Sequence, residues 1–251
     1  MKWLEMTGVD VAELAQRTDV AIVPVGCVEW HGPHLPTGND GIVAEHIAVR
    51  AAEIEPAIVL PTIYFNINDQ MKCYNGTLSF PPRIVADLYH ALCTEAARNG
   101  FRKIIFFIGH GGSQIVVDIV QAELLERITS SDNPGYFIFW CFIPQLMQPE
   151  LSEIISSPTG HACEFETSLT LAIAPHLVRM DRVSGKVGPV HERAIPMATY
   201  RVDWKRRVPE GFIGYPERAT SEKGERLIAL AIQRFADVIR QVKQFDPDED
   251  R

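Results

Sequence analysis

The chain has no CxxC pair, and its five cysteines (Cys27, Cys73, Cys93, Cys141 and Cys163) are scattered along 251 residues. An odd, unpaired set of this kind argues against a disulfide framework or a cysteine-rich zinc site and fits reduced thiols in a cytoplasm. Long apolar runs are also missing. The longest, 104–109 and 136–144, fall far short of the roughly 20 residues that a membrane-spanning helix needs. The opening MKWLEMTGVDVAEL has no basic stretch followed by an apolar one, so no secretory leader is expected. Positive charge is not in excess: Lys plus Arg is 24 against 32 for Asp plus Glu, a net of −8. This excludes the basic footprint of a nucleic-acid binder and any strong attraction to anionic lipid. GxGxxG, GxxxxGKS/T, HExxH and GxSxG are all absent, which leaves nucleotide, zincin and serine-hydrolase chemistry without support.

What is present is a globular composition, 46% hydrophobic and 22% charged, at a length that one domain spanning 1–251 can fill. Val20–Val25 is a β-branched run stopped by Gly26, and Lys103–Ile108 is a continuously apolar run; both read as buried parallel strands. Short strands are expected over Ala57–Leu60 and Tyr136–Cys141. Helices are expected over Ile42–Glu55, Arg83–Asn99, Ser113–Arg127, His161–Ala174 and Ser221–Phe245. Val183–Pro216, rich in Arg, Gly and Pro, reads as an irregular excursion. Alternating strands and helices predict an α/β fold with a mostly parallel sheet covered on both faces. Functional loops then lie past the carboxyl ends of the strands, and the most polar of these are 29–40 and 109–112.

The first of those loops holds Glu29, His31 and Asp40. Alternate residues of an extended segment point the same way, so Glu29 and His31 share a side, and the Gly/Pro loop can return Asp40 to them. Two carboxylates and an imidazole suit Zn²⁺ or Mn²⁺, and a shared carboxylate suits a two-metal site. The plainer reading is a Glu–His hydrogen bond beside a solvated Asp. His110, set among Gly109, Gly111 and Gly112, is either a turn histidine or a further ligand at the same sheet edge. In the segment His161-Ala162-Cys163-Glu164-Phe165-Glu166, a helix starting at 161 sets Glu164 one turn above His161 and turns Glu166 away from both, unless the helix starts later. One of the two acids is expected to face solvent and the other the interior. A thiol nucleophile at Cys27 or Cys163 needs an oriented base, but free cysteines more commonly fill space.

Taken together these segments resemble the creatininase (creatinine amidohydrolase) family. The matching residues are Val23 to Pro36, which contain the ExHGxHLP string, then Asp40, Gly76-Thr77-Leu78-Ser79 and Gly109-His110-Gly111-Gly112. His161-Ala162, Glu166-Thr167-Ser168 and Gly211 to Pro216 follow, with Ala219 and Lys223-Gly224 at the end. The resemblance implies a three-layer α/β/α sandwich and two divalent metal ions per chain, Zn or Mn with iron as a third option. It also implies hydrolysis of non-peptide C–N bonds in small cyclic amides or formamides, and homo-oligomers, hexamers among them. It makes Glu29, His31, Asp40 and His110 metal ligands, with Asp40 bridging. Glu166 becomes a ligand or site acid, and His161 a residue of proton transfer or substrate positioning.

The match is to a GHGG-type member and not to creatininase itself. Creatininase has a metal-binding Glu where this chain has Gly112, and relatives often have Ser and Gln where it has Cys27 and Trp30. The second ion must then find another carboxylate, Glu166 or Glu164, or be bound weakly. Ring-opening hydrolysis of a cyclic ketone of the oxidised-inositol type, and a non-catalytic metal-binding or maturation partner, are the alternatives that the resemblance leaves open. A small-molecule substrate is expected, with no nucleic acid and no membrane.

Overall fold

The computed structural model describes residues 1–130, 134–183 and 204–246. The stretch 184–203 of the expected Val183–Pro216 excursion lies outside the described residues. Four strands form one parallel sheet in the order β2-β1-β3-β4: β1 Val20–Val25, β2 Ile58–Val59, β3 Lys103–Ile108 and β4 Phe137–Phe142. The two central strands pair in full register from Val20↔Lys103 to Val25↔Ile108. This is why both read as apolar runs: every side chain of the two strands except Lys103 is buried, as a strand covered on two faces requires.

Side-chain alternation divides these strands between two cores. Val20, Ile22, Ile105 and Phe107 pack with helices α2 (Asn39–Ile54), α7 (Glu164–Ile173) and α9 (Ser221–Gln244). Ala21, Val23, Val25, Ile104, Phe106 and Ile108 pack with α1 (Gly8–Ala15), α3 (Pro82–Arg98) and α4 (Gln114–Thr129). The result is the expected three-layer α/β/α sandwich. Short helices α5 (Ile143–Leu146), α6 (Glu150–Ile154) and α8 (Trp204–Arg207) complete the described set. Among the described residues no helix is long and apolar enough to cross a membrane.

Two helix starts differ from expectation by three residues, and both move functional side chains. Helix α2 begins at Asn39 instead of Ile42, so Asp40 belongs to its first turn. Its N-cap, Gly38, makes no side-chain cap bond, so the sequence carries no Ser/Thr/Asp/Asn start signal there. Packing fixes this start. A Cβ on Gly26 would collide with the Gly41 backbone, and one on Gly109 with the Asp40 carbonyl. Glycine at the ends of β1 and β3 thus lets the first turn of α2 settle between them. Helix α7 begins at Glu164 instead of His161, with Cys163 as N-cap, which leaves His161 in the preceding loop.

Candidate metal centre

The carboxyl ends of β1 and β3 and the amino end of α2 converge on one buried cluster. Glu29 lies four residues past β1. Its loop is pinned by three bonds: Glu29 N to Thr37 O (2.8 Å), Leu78 N to Val28 O (2.9 Å) and Trp30 N to Thr77 Oγ1 (3.0 Å). Asp40, second residue of α2, sits where the helix amino end favours a negative charge. Its two carboxylate oxygens serve different histidines. His31 Nε2 donates to Oδ1 at 2.9 Å, and His110 Nδ1 to Oδ2 at 3.2 Å. His110 Nδ1 also lies 3.1 Å from Glu29 Oε2. Asp40 is therefore placed between two imidazoles, as a bridging ligand must be.

The outward nitrogens of both rings are tied to backbone carbonyls. His31 Nδ1 donates to Glu29 O at 3.2 Å and His110 Nε2 to Ile67 O at 3.0 Å. Such bonds hold metal-ligating imidazoles in one tautomer with the other nitrogen aimed inward.

Glu166 joins from α7. Its carboxylate accepts the Ala162 N–H, which Ala162 presents by adopting φ 50°. His31, Asp40 and Glu166 each offer a ligand atom within 4.8 Å of the others', and so do Cys27, Glu29, Asp40 and His110. Oxygen and imidazole donors of this kind fit divalent ions of the Zn²⁺ or Mn²⁺ type. A third group, Glu29, His31 and His161, meets the same limit, and Asp40 is the carboxylate that joins the His110 group to the Glu166 group.

The expectation that one of Glu164 and Glu166 faces solvent is not met. Glu164 is fully buried, on the opposite side of α7 from the cluster. Its carboxylate accepts from Ser156, Ser157 (2.6 Å) and Lys223 (2.6 Å). The α7 start at 164 decides this: residues 164 and 166 are about 200° apart on a helix, and with two buried partners each acid finds its own.

The charge state of the cluster follows from its contacts. Burial opposes charge on Glu29, but His110, through its charge and its hydrogen bond, and His31 outweigh it and hold this carboxyl down at about 2. Asp40 is likewise held far below the usual range by His31 and His110, against its burial. Burial alone would lower His31, yet Asp40 and Glu29 raise it to about 10; His110 is raised in the same way by Glu29 and Asp40. For Glu166 burial prevails and lifts the carboxyl to about 7. His161 is lowered, first by burial and then by His31, so its ring is neutral. Its Nε2 donates to the Trp30 carbonyl at 2.7 Å, which leaves Nδ1 without a proton.

The cluster opens into a cavity of about 380 Å³ lined by Glu29, Asp40, His110, His161 and Glu166. His31 lies behind them, 1% exposed. The lining also includes the apolar residues Phe142, Ile143, Pro144, Phe165, Leu169 and Trp204. All six residues expected at the site are thus brought together. The thiol-nucleophile reading finds no activating base: burial pushes the Cys163 thiol up to about 11 and the Cys27 thiol well above its usual value. What the sequence reading passed over is the position of Cys27 inside the cluster, with Sγ 3.3 Å from Glu29 Oε2 and 3.4 Å from Asp40 Oδ2. The alternation that pairs Glu29 with His31 pairs Cys27 with Glu29 as well.

The creatininase family model, described as creatinine amidohydrolase, matches residues 4–239. The chain is 28% identical over 250 residues to creatinine amidohydrolase of Pseudomonas putida, covering 94% of each. It is 29% identical over 247 residues to mycofactocin precursor peptide peptidase of Mycolicibacterium smegmatis, covering 94% of this chain and 89% of that one. Among solved structures, a mutant creatininase of Zn-Zn type is 26% identical with a TM-score of 0.83, over 96% of this chain and 98% of that one.

Proposed function

The chain belongs to the creatininase family, whose members are metal-dependent amidohydrolases, and on that premise we propose that it acts as a single catalytic domain hydrolysing a C–N bond in a small cyclic amide or formamide. In this reading the cluster would hold two divalent ions, Zn²⁺ or Mn²⁺: Glu29, His110 and Asp40 would hold one, and His31, Asp40 and Glu166 the other. The observation that carries it is Asp40, whose two oxygens address two separately oriented imidazoles. Glu166 takes the role of the carboxylate missing at Gly112. Bound ions of this kind supply Lewis acidity, polarising a carbonyl and bringing the pKa of water near neutrality.

The residues of the chain do the rest. The Trp30 carbonyl fixes the His161 tautomer, so Nδ1 is the atom that accepts a proton from attacking water and returns it to the departing nitrogen. The lowered pKa of His161 makes that return easy, because the imidazolium is a strong acid in this setting. Glu166, raised to about 7, is poised for the same traffic until a cation holds it ionised. The apolar lining seats the hydrocarbon part of the substrate and keeps bulk water from the reacting carbon. Homo-oligomeric assembly in a cytoplasm is part of the same proposal.

Elemental analysis of protein purified without chelator tests the reading, alongside turnover on a panel of lactams, formamides and cyclic ketones. About two ions per chain and amide turnover are expected, and Asp40→Ala loses both. Normal turnover by Asp40→Ala overturns it, and ring opening of ketones without amide cleavage replaces the C–N substrate with a C–C one.

A further inference from the structure

Cys27 is absorbed by none of the chemistry above, yet it occupies the centre of the site. It is fully buried, and its sulfur lies 3.3 Å from Glu29 Oε2 and 3.4 Å from Asp40 Oδ2. His110 Nδ1 lies 3.1 Å from the same Glu29 oxygen and 3.2 Å from the same Asp40 oxygen. Sulfur and imidazole nitrogen are thus both seated against one pair of oxygens. An ion at about 2.1 Å from oxygen and nitrogen and about 2.3 Å from sulfur spans these separations with ligand–metal–ligand angles of roughly 95 to 100°. Those are ordinary coordination angles for each of the four pairs.

We propose that Cys27 is the fourth protein ligand of the ion held by Glu29, Asp40 and His110, which makes that position a sulfur-bearing one that prefers zinc to manganese. The inference rests on the two-metal reading and adds a donor to one of its positions. On coordination the S–H bond breaks, its electron pair stays on sulfur to form the sulfur–metal bond, and the proton leaves to solvent. Thiolate is a soft donor that strengthens binding of Zn²⁺ and Co²⁺ and does little for Mn²⁺, which prefers oxygen. The other position, formed by His31, Asp40 and Glu166, has no sulfur among the described residues. The two positions should therefore differ in metal preference.

Cobalt substitution reads this directly. Cobalt-loaded protein is expected to show a near-ultraviolet thiolate-to-cobalt charge-transfer band that disappears in Cys27→Ser, while the visible cobalt bands remain. In the same variant zinc affinity should fall by about tenfold or more, with manganese affinity changed far less. Zinc X-ray absorption on the unaltered protein gives the same answer without a variant, as sulfur at about 2.3 Å from one of the two zincs. Visible cobalt bands with no charge-transfer band, or zinc surrounded by nitrogen and oxygen alone, overturn the role of Cys27 and leave the two-metal reading intact. Failure to take up cobalt or zinc overturns both.

Discussion

In the metal-free protein, protons stand where the cations belong, so metal uptake must expel them in a countable way. Glu29, held at about 2, and Asp40, held lower than usual, are ionised throughout the neutral range. His31, raised to about 10, and His110, raised well above 6.5, are both cationic at pH 7 and balance those two carboxylates. A ligating imidazole must be neutral at the coordinating nitrogen, so each of the two gives up one proton. Glu166, at about 7, adds a fraction that changes with pH. From these three groups the expected release is about three protons per two ions at pH 6 and about two at pH 8, with Glu166 supplying the difference.

The sign follows from competition. Protons and metal exclude one another, the raised histidine values favour the proton at low pH, and metal affinity must therefore rise with pH. Each displaced proton contributes about tenfold in affinity, or about 1.4 kcal/mol, per pH unit. Over pH 6 to 8 the joint affinity for the two ions should climb by between two and three decades per unit. Titration calorimetry in buffers of different ionisation enthalpy counts the protons independently of the affinity. A coordinated Cys27 adds one proton at each pH, which Cys27→Ser loses while the fall from pH 6 to pH 8 persists. Release of less than one proton per two ions, or an affinity flat across this range, refutes the charge assignment.

Two further outcomes separate the site from its frame. A Cβ at residue 112 would lie 2.5 Å from His110 Nε2. Gly112→Ala should therefore turn the ring off both the Ile67 carbonyl and the carboxylates, weakening metal binding by about 10- to 100-fold with little change in the melting temperature of the metal-free protein. Glu164→Gln leaves Lys223 facing a buried neutral group and should cost about 3 kcal/mol of stability with metal content unchanged, as denaturant unfolding and elemental analysis will show. Because the Glu164 carboxyl is held at about 2 against an ordinary 4.5, its stabilisation is complete above pH 4.5 and fades as pH falls toward 2. The two proteins should therefore converge in stability in acid.

The sheet was legible because its strands obey one rule along their length. The runs at 20–25 and 104–108 are apolar at every position, and only a strand covered on both faces needs that. The GHGG and ExHGxHLP strings marked the site for a related reason: the ligand loops leave directly from those strand ends. What escaped the sequence was phase. Asn39-Asp40-Gly41 has turn-like residues and no cap, and it becomes helical because two strand-end glycines leave space for its backbone. Tertiary packing overrode local propensity there, and this is how Asp40 reaches both histidines.

Glu166 shows how much a boundary error matters. On a helix each residue turns the side chain by about 100°, so a start at 161 or at 164 decides whether 164 or 166 serves the cluster. The sequence offers no cap to choose between them, since Cys163 makes no side-chain cap bond. The choice is made by partners distant in sequence. Lys223 at the head of α9 claims Glu164, and the Ala162 N–H claims Glu166. A ligand on a strand end can be read from its own segment, whereas a ligand on a helix needs the phase that its neighbours impose. The phase of α7 is therefore fixed by contacts as long-range as the 59 residues between Glu164 and Lys223.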